Sequence, residues 1–218
     1  MTFTTLFFDL DDTLYPASCG LWHDIRGRID LYMRDRLAIP EDQVMPLRRH
    51  YYEQYGTALR GLEREFSLDK ADFLAFVHDL PLGDYLAPAP DLRTVIEAIP
   101  ARKFIFTNAD KAHAGRVLRA LELETCFEGV IDVLDVTPYC KPMPESFEIA
   151  LRLAGNPDPR RCAILDDMPR TTKAARQAGL FSILVTEAAT ETGDADAVLH
   201  NWHNLPTLLA QAKSRSMT

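Results

Sequence analysis

The chain has 218 residues, 47% hydrophobic and 26% charged, so it can bury a core of domain size and disorder is not indicated. Its formal net charge is −8, its pI about 5.2, and no long basic run appears, which argues against a nucleic-acid polymer as partner. Asp9 and Asp11 break any apolar leader, and no stretch is long and apolar enough to span a bilayer, so a cytoplasmic protein that does not enter membranes is expected.

Thr4 to Phe8 reads as a short buried strand, rich in β-branched and aromatic residues. Asp9, Leu10, Asp11, Asp12 and Thr13 follow at once. Three carboxylates at a strand end repel one another and lose solvation unless positive charge sits among them. A Mg²⁺ ion and a phosphate group would resolve this together. The plainer alternative is an acidic turn that caps a helix, since Asp and Thr are good N-caps.

From about Ser18 to Leu80 the signals are helical. Ile25, Ile29, Tyr32, Met33 and Leu37 share one face. A second helix is predicted from Glu41 to about Gly56, with Val44, Leu47, Tyr51 and Tyr55 inward. A third follows Ser67, carrying Phe73, Leu74, Phe76 and Val77. Pro81, Gly83, Pro88 and Pro90 mark a boundary.

Beyond it, strands and helices alternate. Helices are predicted over Asp91–Ile99, Lys111–Leu121, Pro144–Ala154 and Thr171–Ala178, the last closed by Gly179. Strands are predicted over Lys103–Thr107, Gly129–Leu134, Cys162–Leu165, Phe181–Val185 and Ala197–Leu199. The tail Lys213–Thr218 reads as frayed. This rhythm implies an α/β fold, a Rossmann-like parallel sheet with helices on both faces, plus a small all-helical cap inserted after the first strand. The core would comprise residues 1–15 and 87–218, and the cap residues 16–86.

In a parallel sheet all strand C-termini share one edge. Four segments therefore converge: Asp9/Asp11/Thr13, Thr107-Asn108, Lys141 before Pro142, and Asp166-Asp167. Alone, Thr107-Asn108 could be a turn, Lys141 a solvated loop lysine, and Asp166-Asp167 a helix start. Together, each at the end of an apolar run, they suit phosphoryl transfer. Asp9, the first residue beyond its strand, is the expected nucleophile, and Asp11 the general acid and base. Asp9, the Asp11 carbonyl and Asp167 would hold Mg²⁺, with Asp166 helping directly or through water. Thr107 and Asn108 would bind phosphoryl oxygens, and Lys141 would neutralise charge.

His50, Tyr51, Tyr52, Tyr55 and Arg60 form a dense aromatic and polar cluster in the cap segment. A nucleobase could stack there; ordinary cap packing is the competing reading for the tyrosines. Of these, His50, Tyr55 and Arg60 are the substrate-binding candidates. His113 is expected on the exposed or half-buried side of its helix, and His200 and His203 as surface or C-terminal packing residues. Cys19, Cys126, Cys140 and Cys162 show no CxxC pairing and no histidine at zinc spacing, and read as reduced, mostly buried thiols.

The four motifs resemble those of the haloacid dehalogenase superfamily: Asp-x-Asp-x-Thr, Thr after an apolar strand, Lys-Pro, and an Asp-Asp pair ahead of Ala174, Ala175 and Gly179. The stretches Phe7–Tyr15, Tyr55–Leu62 and Ile105–His113 look closest to its pyrimidine 5′-nucleotidase branch. The resemblance implies a Mg²⁺-dependent phosphatase with an aspartyl-phosphate intermediate, acting as monomer or homodimer on a small phosphorylated metabolite such as a nucleoside monophosphate. Sugar-phosphate phosphatase, phosphomutase and a non-enzymatic phospho-binding protein are the alternatives. Many relatives carry an acidic residue or Asn where this chain has Thr171, which leaves Asp166 as the substitute metal-shell carboxylate. The superfamily's dehalogenases have a different residue where Asp11 stands.

Overall fold

A computed structural model describes residues 3–188 and 193–215. Six strands form one sheet in the order β3-β2-β1-β4-β5-β6, all parallel. They are β1 (Thr5–Phe8), β2 (Arg102–Phe106), β3 (Gly129–Ile131), β4 (Cys162–Asp166), β5 (Phe181–Val185) and β6 (Ala197–Leu199). Four helices lie between β1 and β2 in the chain: α1 (Leu21–Asp35), α2 (Glu41–Tyr55), α3 (Ala58–Glu65) and α4 (Lys70–His78). Five more accompany the sheet: α5 (Pro90–Glu97), α6 (Lys111–Ala120), α7 (Pro144–Leu153), α8 (Pro169–Gln177) and α9 (Leu205–Arg215).

Strand side chains alternate between faces with period two, and both faces are covered. Leu6 and Phe8 of β1, Ile105 of β2, and Ala163 and Leu165 of β4 join one buried cluster with Leu92, Val95 and Ile96 of α5, Val117 and Leu118 of α6, and Leu205 and Leu209 of α9. Phe7, Phe104, Phe106, Cys162 and Ile164 join the opposite one, with Phe147 and Ala150 of α7 and Ala175 of α8. The first cluster also runs without a break into the helical insertion, through Leu14, Leu21, Ile25, Met33, Tyr51 and Leu62. The insertion therefore shares one buried core with this face of the sheet.

The strands follow the expected order, with three differences. Asp132 ends β3 three residues before Leu134: its carboxylate accepts the backbone N–H groups of Leu134 and Asp135, and of Lys111 at the start of α6. Helix α3 was not among the predicted elements. Thr57 caps it by accepting the Arg60 N–H, and Gly61 sits mid-helix because the Tyr51 ring presses against it. Helix α9 was not among the predicted elements either, although Leu205, Leu208, Leu209 and Ala212 recur at helical spacing. Of the tail expected to fray, Ser216, Met217 and Thr218 lie outside the described residues. Among the described residues no helix is long and apolar enough to cross a membrane.

Candidate active site

Register explains the convergence. Phe8 pairs with both Ile105 and Leu165, so the ends of β1, β2 and β4 lie level. Asp9 continues the ladder by donating its N–H to the Leu165 carbonyl, at 2.9 Å. It emerges beside Asp166, where strand order jumps from β1 to β4, the crevice in which open α/β sheets take ligands.

Lys141 is the hub. Its Nζ lies 2.7 Å from Asp9 Oδ1 and 2.7 Å from Asp166 Oδ2, and only 3% of the residue is exposed. Burial alone would push the ammonium down; Asp166 and Asp9 outweigh it and hold it well above the ordinary lysine value. Its backbone is clamped too. Lys141 N–H donates to Asn108 Oδ1 and the Asn108 amide donates to the Lys141 carbonyl, each at 2.9 Å. Asn108 was expected on phosphoryl oxygens, but both ends of its side chain are committed to this clamp. Thr107 stands at the end of β2 as expected, buried, with its hydroxyl accepting the Ala109 N–H at 3.0 Å.

Thr13 stitches the two acidic loops. Its hydroxyl lies 3.3 Å from Asp9 Oδ2 and 3.4 Å from Asp167 Oδ1, and accepts the Asp167 N–H at 3.2 Å. Asp166 has both oxygens occupied, one by Lys141 and one by the Met168 N–H at 2.9 Å. It holds Lys141 in place, which weakens its expected part as a substitute metal ligand.

Oxygens of Asp9, Asp166 and Asp167 come within 4.8 Å of one another. Burial, followed by the neighbouring charges, pushes the Asp9 and Asp167 carboxyls up despite Lys141. One lysine does not satisfy three carboxylates. A hard, oxygen-only donor set short of positive charge fits a divalent cation of the Mg²⁺ type.

Asp11 faces the other way, toward α6. The Tyr15 hydroxyl donates to its Oδ1 at 2.6 Å, and His113 Nε2 lies 2.8 Å from the same oxygen. Burial opposes the charge, but His113 and then Tyr15 more than offset it and hold the carboxyl below its ordinary value. His113 is 1% exposed, not on an open helix face as expected. Its helix starts at Lys111 as predicted, behind the Asp110 cap, but the face that carries His113 is turned inward, with the ring on Asp11.

The cap cluster is largely not at the site. His50 is exposed. Tyr51 is fully buried beneath Gly61, its hydroxyl on Glu65. The Tyr55 ring packs against His50 and Tyr51, with Arg64 above it at 4.9 Å. Arg60 is 3% exposed and bonds to the carbonyls of Val133 and Tyr139, the Thr137 hydroxyl and Glu63. These contacts tie α3 to the loop that carries Lys141 and leave Arg60 no free donor face for substrate. The cap tyrosine that meets the core is Tyr52, one residue round the helix, with the Arg170 guanidinium 3.4 Å from its ring centroid. Arg170 also donates to the Tyr52 and Gly56 carbonyls. His200 and His203 are exposed, and all four cysteines are free thiols, three of them buried, as expected.

A doubly covered parallel sheet with a lysine-bridged carboxylate cluster at its switch point places the chain among the Rossmann-like α/β proteins with an acidic site at the strand ends. Residues 3–179 match the haloacid dehalogenase-like hydrolases, and the chain belongs to that family. It is 28% identical over 192 residues to Phosphate metabolism protein 8 of Saccharomyces cerevisiae, covering 82% of this chain but only 60% of that protein's length. Among solved structures it resembles the HAD-hydrolase YfnB of Bacillus subtilis, which was bound to magnesium (18% identity, 96% and 100% of the two chains, TM-score 0.66). It also resembles a HAD phosphatase from Thermococcus onnurineus (16% identity, 94% and 97%, TM-score 0.62).

Proposed function

We propose that the chain is a Mg²⁺-dependent phosphomonoester hydrolase that works through an aspartyl phosphate, with pyrimidine nucleoside monophosphates as its substrates. The observation that carries this reading is the division of labour between Asp9 and Asp11. One carboxylate is held by a buried lysine at the strand end, and the other by a histidine and a tyrosine two residues on.

An Asp9 oxygen attacks phosphorus, and the ester P–O bond breaks with its electron pair on the alcohol oxygen. Asp11, which must enter this step protonated against the pull of His113 and Tyr15, gives that oxygen a proton. Asp11 then takes a proton from water, whose oxygen attacks the phosphorus of the aspartyl phosphate, releasing inorganic phosphate and restoring Asp9. Lys141 lowers the cost of bringing a phosphate dianion to a carboxylate. Asp9, Asp167 and the Asp11 carbonyl would hold Mg²⁺, which supplies further neutralisation of the same charge. The core over residues 1–15 and 87–218 and the cap over 16–86 divide these tasks: the core carries the chemistry and the cap selects the leaving group.

The nucleotide reading is supported by the three stretches that resemble the pyrimidine nucleotidases and by the Tyr52 ring at the cap–core seam. Phosphate release with Mg²⁺ from UMP, CMP, AMP, GMP and several sugar phosphates tests it, with Asp9→Asn as control. Preference for UMP and CMP, abolished in the variant, is the expected result. Release from sugar phosphates alone would keep the mechanism and replace the substrate; full turnover by Asp9→Asn would end the mechanism.

A further inference from the structure

The Asp11 carboxylate is held from one side only. Both the Tyr15 hydroxyl and His113 Nε2 address Oδ1, and among the described residues no group bonds to Oδ2. A carboxylate accepts, so His113 carries its proton on Nε2. Its Nδ1 is buried without a hydrogen-bond partner, so nothing polar competes for the ring's orientation. What fixes that orientation is a second imidazole. The His78 ring stacks on His113 with centroids 4.1 Å apart and planes at 18°. His78 is the last residue of α4, the final helix of the insertion. Its Nδ1 lies 3.0 Å from Asp110 Oδ1, close but outside hydrogen-bond alignment, and its carbonyl accepts from Arg116 of α6 at 2.9 Å. Asp110 in turn caps α6 by accepting the His113 N–H at 3.3 Å.

A continuous set of contacts thus runs from the helical insertion through His78 and His113 to Asp11. We propose that His113 is a positioning residue for the general acid and base, and that His78 makes this alignment depend on the seating of the helical insertion. With Oδ1 occupied by two donors, Oδ2 is the oxygen left to carry the transferable proton. Loss of His113 frees the carboxylate to rotate and spreads that proton over both oxygens. This rests on the assignment of Asp11 in the proposed phosphatase.

The test is the leaving-group dependence of kcat/KM. An alkyl phosphate must have its leaving oxygen protonated, whereas p-nitrophenolate departs as a stable anion and needs little help. His113→Leu keeps ring-sized apolar bulk and removes the donor. It is expected to lose about 100-fold on alkyl phosphomonoesters, within the ordinary range for general acid catalysis, and only a few-fold on p-nitrophenyl phosphate. His113→Gln, whose amide can replace Nε2–H, should recover most of the alkyl activity. Tyr15→Phe removes the other donor at little structural cost and should show the same selectivity for alkyl leaving groups. His78→Leu should lose alkyl activity to a smaller extent in the same pattern. Equal losses on both substrate types, or Gln no better than Leu, would overturn the positioning role, and wild-type selectivity in His78→Leu would overturn the link to the insertion. A gain of activity in His113→Leu would mean that the histidine parks Asp11 away from the reaction, and would overturn the proposal as well. If wild type releases phosphate from no substrate, the phosphatase reading fails and takes this proposal with it, an outcome distinct from equal losses in an active enzyme.

Discussion

At the residue scale the site is a problem of unequal charge. Among the described residues Lys141 is the one cation set between Asp9 and Asp166, and all three side chains are nearly out of water. Removing one partner of such a buried set typically costs about 3–5 kcal/mol, because the remaining charges stay buried. Lys141→Ala is therefore expected to lose both turnover and stability. The stability loss should be larger at pH 8 than at pH 5, since Asp9, already pushed up, takes a proton at the lower pH and escapes the penalty. Urea melts of both proteins at the two pH values check this. Asp12 offers a cleaner pH test. It sits at φ 56° with one oxygen buried and unpartnered, and burial, then Asp11, pushes its carboxyl up to about 6. A folded-state value raised above the unfolded one means stability that is present below the unfolded value and lost as pH rises through about 6. Asn tolerates the same backbone conformation. Without added metal, Asp12→Asn should be more stable than wild type at pH 8 and no different at pH 4.

At the scale of elements, helix periodicity was a sound guide to which face is buried and a poor one to what that face meets. Ile25, Ile29, Tyr32 and Met33 of α1 are inward as their spacing implies. Tyr51 and Tyr55 also share a face, but it is the one turned to the inside of the insertion. The missed helix α3 shows why. At its Gly61 a Cβ would lie 2.1 Å from Tyr51 Cγ and 2.4 Å from Tyr51 Cβ. The glycine exists to let α2 and α3 approach. Gly→Ala within a helix ordinarily stabilises by up to about 1 kcal/mol. Gly61→Ala should instead destabilise by about 1–3 kcal/mol through overpacking, read as a lowered urea midpoint with an unchanged slope. Arg60 acts between elements. Replacing it by Met leaves the Tyr139 carbonyl without its donor and the Val133 carbonyl with the Thr137 hydroxyl alone, at 3.4 Å, and a buried unsatisfied group costs about 1–3 kcal/mol. Arg60→Met should lower the melting temperature, and should reduce kcat by loosening the Lys141 loop more than it changes KM.

At the scale of the molecule, the sheet, the insertion and the acidic edge depend on one another. One buried apolar cluster is common to sheet and insertion, and Arg60, Arg170 and His78 each cross the seam. Binding of a cation to the native state alone raises stability by about 2.7 kcal/mol at a hundred times its dissociation constant. Mg²⁺ added to the chelator-treated protein should therefore raise the melting temperature of the whole chain in one transition, and Asp167→Asn should abolish that shift. Much of this was legible beforehand. The apolar runs that end at Asp9, Thr107 and Asp166, alternating with helices, determined a parallel sheet with chemistry at one edge. Strand periodicity and a shared edge place residues without knowledge of anything distant. Lys141 was legible from its Lys-Pro motif. What sequence could not supply was the use of each side chain beyond the edge: Asn108 clamps a lysine's backbone, Asp166 anchors that lysine, His113 turns inward to Asp11, and Tyr52 rather than Tyr51 or Tyr55 meets the core. Each of these depends on the relative rotation and distance of two packed elements far apart in the chain. That is decided only when the helices settle on the sheet, because local periodicity records which face is buried and carries no information about what lies against it.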